Sequence, residues 1–243
     1  MKAVLQYIRV QQSRFAQHPF FDELRRDLPL EQALAFAPRL AYWVMSFQDV
    51  LRLNAQRVQD PALKQLMLRH RAEERGHDNW FFEDVALLMG RPLSVGELWN
   101  RSHQSTRDAS HDLLSEALRP LDDRLRVVLV LTLESTSHAF FHRTAALTQA
   151  LGSDKRLKYF SNHHVEAEEQ HEVFEEEMEK MLHGLELTPA LHDEALALVD
   201  RVYAAFHAMF DGLRGEPRSR VAPPKPFPQP TALAEQVVGT LCH

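Results

Sequence analysis

Within the stretch Lys158 to Glu179, His164, Glu168 and His171 stand at positions i, i+4 and i+7. On a helix turning about 100° per residue they fall within about 60° of one another, forming a single stripe. His70, Glu74 and His77 repeat the same spacing much earlier in the chain. At this composition a His-x3-acid-x2-His match arises by chance roughly 0.1 times. Two matches therefore ask for a fold in which long helices set the two stripes face to face.

Between the stripes lies Glu134, in the apolar run RVVLVLTLESTSHAFF. Val127, Val130, Leu131, Phe141 and Ala145 share its helix face. A carboxylate turned into such a surface costs several kcal/mol of lost hydration unless a cation meets it. Arg124, Arg126 and Arg143 are the nearby cations, and the helical period sends them to other faces, so a metal ion is the better partner. His138, four residues on, shares the face as a further ligand or as a residue that orients one. On the first stripe, Glu73 and Glu74 flank the line through His70 and His77. The second stripe has Ala167 where the first has Glu73 and Glu168 where it has Glu74, which favours Glu74. Asp84 lies near enough to steady a histidine ring, and Phe81 to cap the site.

The candidate metal ligands are thus His70, Glu73 or Glu74, His77, Glu134, His138, His164, Glu168 and His171. More donors converge than one four- to six-coordinate ion uses, which points to two ions bridged by a carboxylate. Oxygen and imidazole donors without thiolate suit iron or manganese, and are compatible with zinc.

The rest of the chain supports an all-α fold. Of 243 residues, 44% are apolar and only eight are glycine, and the apolar periodicity is helical. A net charge of −6, with no basic run, argues against nucleic acid as a partner. The single cysteine, Cys242, excludes disulfides within the chain and fits a reducing cytoplasm. No apolar run approaches the length of a membrane span, and the N-terminus lacks a signal-peptide core.

Helices are expected over Lys2–Gln17, over Leu30–Gln59 with a kink or split at Pro38, and from the Asp60-Pro61 start to Met89. Further ones are expected over His103–Leu118, Leu121–Leu151, from a Ser153 cap to His183, and from Thr188-Pro189 to Leu213. Gly90, Gly152 and Gly184 mark helix ends. From Gly215 onward six of the thirteen prolines crowd together. Residues 1–214 thus form one helical metal-binding domain and 215–243 an extended or disordered tail, with a short helix near Leu233–Leu241.

The segments HRAEERGHDNWFFED, LESTSHAFFH and HHVEAEEQHEVF resemble the haem-oxygenase-like diiron oxidases and oxygenases. The resemblance covers roughly residues 1–213. It implies a seven-helix bundle holding two iron ions and no haem. Glu134 falls where that family places a bridging glutamate, His164, Glu168 and His171 on its ligand triplet, and His77 on its first-helix histidine. Where many members carry a glutamate seven residues before that histidine, this chain has His70, so Glu73 or Glu74 would supply the carboxylate. The opening segment (FFDELRRDL to FAPRLAYWVMSFQDV) looks like the branch containing an enzyme that converts a halogenated tryptophan into a nitrile. The resemblance further implies dioxygen as co-substrate, an external electron donor, a small-molecule substrate such as an amino acid or fatty acid in natural-product biosynthesis, and a homodimer common to the fold. Arg52 or Arg143 would then hold a substrate carboxylate. Glu74-x-x-His77 and Glu168-x-x-His171 equally match the paired motif of ferritin-like iron-handling or peroxide-scavenging bundles.

Overall fold

The computed structural model describes residues 1–119, 121–169 and 184–214, with Glu168 and Glu169 described by backbone alone. Among these residues every regular element is helical and none is a strand. The elements are α1 (Lys2–Phe15), α2 (Leu30–Ala33), α3 (Ala37–Arg57), α4 (Pro61–Glu73), α5 (His77–Met89), α6 (Gln104–Leu118), α7 (Asp123–Ala150), α8 (Asn162–Glu169) and α9 (Pro189–Leu213). Short 3-10 turns at Pro19–Glu23, Val95–Trp99, Arg101–His103 and Asp154–Arg156 join them. None of these helices is long and apolar enough to cross a membrane. The expected tail at 215–243, and the expected course of the helix through His171 to His183, lie outside the described residues.

Local chemistry explains most of the boundaries. Asp60 accepts hydrogen bonds from the amides of Ala62 and Leu63, both at 2.9 Å, and caps α4 ahead of Pro61. Thr188 accepts from Leu191 N at 3.3 Å and does the same for α9. Pro38 splits the expected 30–59 helix. It falls in the first turn of α3, where its missing N–H has no intrahelical partner to lose.

Two expected helices are shorter or broken. The helix expected from Pro61 to Met89 stops at Glu73 and restarts at His77, because Gly76 takes a left-handed conformation at φ 101°. Ser153 makes no side-chain cap, and α8 begins only at Asn162, whose amide donates to Asp154 Oδ1 at 2.9 Å.

α9 packs against α6 and α7, and α3 against α6, α4 and α5, while α1 lies on α7 and α9. The larger core is rich in aromatic rings. Phe15, Phe20, Phe21, Phe36, Phe140, Phe206 and Phe210 are all buried in it, and Phe210 sits 4.8 Å edge-to-face from both Phe15 and Phe20. A smaller core joins Leu51 and Ala55 of α3, Leu63, Leu66 and Met67 of α4, and Val127 and Val130 of α7. Phe47 packs against both.

Candidate metal centre

The helix faces that build the smaller core continue, one turn on, into polar residues. His70 lies three residues after Met67 and Glu134 four after Val130, so the spacing that buries the apolar pair brings the polar pair together above it. His70 is 4% exposed, and its Nε2 donates to Glu134 Oε1 at 3.1 Å. Glu74, 3% exposed, completes the group. One donor atom each from His70, Glu74 and Glu134 lies within 4.8 Å of the other two.

Donors about 2.0–2.2 Å from a metal sit roughly 3–4.4 Å apart, depending on the angle between them. The triad is thus close to the size that one ion would draw in. Its chemistry, one imidazole and two carboxylates, suits iron or manganese. The arginines that could have neutralised Glu134 are engaged elsewhere. Arg124 pairs with Asp122 at 2.8 Å. Arg126 donates to the carbonyls of Ala117 and Arg119 at the end of α6, and Arg143 to the carbonyl of Ala16.

The break before α5 sets the other half of the site. Glu74 ends α4, and its carbonyl, which in an unbroken helix would accept from the amide of Asp78, accepts instead from Gln48 Nε2 at 3.0 Å. His77 opens α5, and its Nδ1 donates to Glu74 Oε2 at 3.1 Å. Glu74 therefore joins the triad and also orients His77. Glu73 turns away. Its Oε1 lies 3.8 Å from Arg69 Nε, and it is outside the triad.

His164 approaches His77 from α8, with ring centroids 4.7 Å apart. It is 1% exposed, stacked on Phe141 at 3.7 Å and set edge-on to Tyr159 at 4.8 Å. Its position depends on Asp84, which accepts from the amides of Lys158, Tyr159 and Phe160 at 2.8–3.2 Å. Asp84 thus anchors the loop before α8 rather than a histidine ring, contrary to the sequence expectation. Burial pushes its carboxyl above the usual aspartate value, while the three amides pull it back. Phe81 lies over Tyr159 at 5.1 Å, on that loop.

His138 projects to the surface of α7, 4.1 Å ring to ring from His142, and is not in the triad. One turn of α7 separates it from Glu134, and that turn carries it across the edge of the buried face. The side chain of Glu168 and all of His171 lie outside the described residues.

Beside these groups opens a narrow cleft, part of it open to solvent. Trp43, Val44 and Phe47 of α3, Phe141 of α7 and Tyr159 wall it. Glu74, His77, Glu134 and His164 line it together with Gln48, Asp78 and Ser137. Gln48 is thus both part of the cleft and the prop of the α4–α5 break. Asp78 had no place in the sequence expectation, because its type and spacing match no ligand pattern. Arg52, which pairs with Asp49 at 2.8 Å, and Arg143 do not line the cleft.

No protein-family model matches the chain, and no curated protein is significantly similar to it.

Proposed function

We propose that the chain is a non-haem diiron oxidase or oxygenase of the haem-oxygenase-like kind that its sequence resembles, acting with dioxygen on a small molecule held in the cleft. The observation that carries this is the convergence of His70, Glu74 and Glu134, from two helices and a helix break, within 4.8 Å beside an aromatic-walled cleft. Buried carboxylates and imidazoles are costly to gather, and cations are what make such a gathering stable.

His70, Glu74 and Glu134 would hold one ion, with Glu134 as the carboxylate shared between two. His77 and His164, with Glu168 and His171 expected from the sequence, would hold the other. Bound ferrous ions supply the electrons with which dioxygen is reduced; manganese suits the same donors. The remaining work belongs to the protein. Glu74 fixes the ring plane of His77, Gln48 fixes the chain break that carries Glu74, and Trp43, Phe47, Phe141 and Tyr159 give the substrate an apolar wall that limits water. Turnover calls for an external electron donor. A cytoplasmic setting and a homodimer accompany this reading, with no role for nucleic acid or membrane.

The test is anaerobic titration with ferrous iron followed by oxygen, with iron analysis, optical spectroscopy and product analysis. About two ions per chain are expected, with oxygen consumption that rises when an organic substrate is present. Glu134→Ala and His171→Ala should each lose at least one ion; His138→Ala and His183→Ala should keep both. Oxygen uptake that oxidises iron alone, whatever organic molecule is added, would favour a ferritin-like iron-handling role. Failure to retain iron, or equal loss in all four variants, overturns the proposal.

A further inference from the structure

Among the described lining residues of the cleft the charges are one-sided. Apart from the candidate ligands, the sole charged side chain among the described lining residues is Asp78, and neither lysine nor arginine is among them. Asp78 is half-buried in the first turn of α5, and among the described residues no hydrogen bond or ion pair engages its carboxylate. Helix N-termini favour acidic side chains, which accounts for an aspartate there but not for one turned to a cleft. Trp43 and Phe47, ring centroids 5.5 Å apart, and Tyr159 line the same cleft. Aromatic faces beside a carboxylate are how proteins recognise ammonium groups.

We infer that the cleft takes a substrate with a protonated amine and an apolar or aromatic body, the ammonium lying against Asp78 and the aromatic wall. No lysine or arginine stands among the described lining residues, and Asp78 offers an amine its counter-charge. This rests on reading the cleft as the substrate site. It narrows the substrate to cationic amines and makes Asp78 a specificity-determining residue.

Calorimetric titration with three matched probes tests it: 2-phenylethylamine, 2-phenylethanol and 3-phenylpropionate. Each is run on the full chain both metal-free and loaded anaerobically with ferrous iron. The amine should bind about tenfold more tightly than the alcohol or the acid. Asp78→Asn should bring the amine down to the level of the alcohol while leaving the alcohol's affinity and the iron content unchanged. Circular dichroism of the variant verifies its fold, and Asp78→Glu, which restores the charge, should recover part of the preference. An acid bound as tightly as the amine in either form, or a preference that survives in Asp78→Asn, overturns the inference. An amine preference in a protein that retains no iron would defeat the oxidase proposal and leave this one standing; iron retention without the preference would do the reverse.

Discussion

Two adjacent glutamates, Glu73 and Glu74, divide their roles cleanly. Glu74 is buried and reaches both His77 and the triad, whereas Glu73 is half-buried outside the triad, its Oε1 3.8 Å from Arg69 Nε and its Oε2 buried without a hydrogen-bond partner among the described residues. Removing a carboxylate from a compact ligand set loosens the ion, while removing Glu73, which only approaches Arg69 at 3.8 Å, takes nothing from that set. Glu74→Ala should therefore lose about one metal ion per chain by elemental analysis, and Glu73→Ala should lose none. On the helical wheel both residues flank the histidine line, and only the analogy with Ala167 and Glu168 of the second stripe favours Glu74. In the structure Glu74 meets His70 four residues back on α4, and the turn at Gly76 brings His77 to it. The case of Glu134 was more legible, since an acid in an apolar run signals itself by its cost. That of Asp84 was not. Its partners are three backbone amides far along the chain, and backbone amides leave no mark in the residue pattern.

At the scale of elements, the α4–α5 break is the feature on which the site turns. Gly76 holds φ 101°, where a side-chain-bearing residue is strained by about 1–2 kcal/mol. Gly76→Ala should lower the unfolding midpoint by several degrees and weaken the metal held by Glu74 and His77. Gly96→Ala, where an added Cβ would meet open space, should do neither. Thermal melts and iron titrations of the pair read this directly. Helix type, and most ends marked by Asp-Pro, Thr-Pro or Gly, could be read from the sequence because each rests on a short-range backbone requirement. The break itself was signalled only by a glycine inside an otherwise helical period, which helices often tolerate at about 1 kcal/mol. The late start of α8 was hidden for a similar reason. Ser153 is a good capping type, but Asp154 and Asp84 hold the chain away from the helix until Asn162.

For the molecule as a whole, the site occupies the seam between the aromatic core and the smaller α3–α4–α7 core, and an ion there would tie α4 and α7 together. A ligand that binds only the folded chain adds about 2.7 kcal/mol at a hundred times its dissociation constant. In a domain of this size that corresponds to roughly 5–10 °C. Ferrous iron under anaerobic conditions should raise the melting temperature by about that much, a chelator should reverse the rise, and Glu134→Ala should abolish it. The seam also bears on any redesign. Met67, Val127 and Val130 form a floor that holds His70 and Glu134 in register, whereas Val44 belongs to the opposite wall, on α3. A protein engineer wanting to admit a bulkier guest should carve at Val44 and leave the floor intact, because a void opened beneath the two donors would cost their alignment before it gained any room.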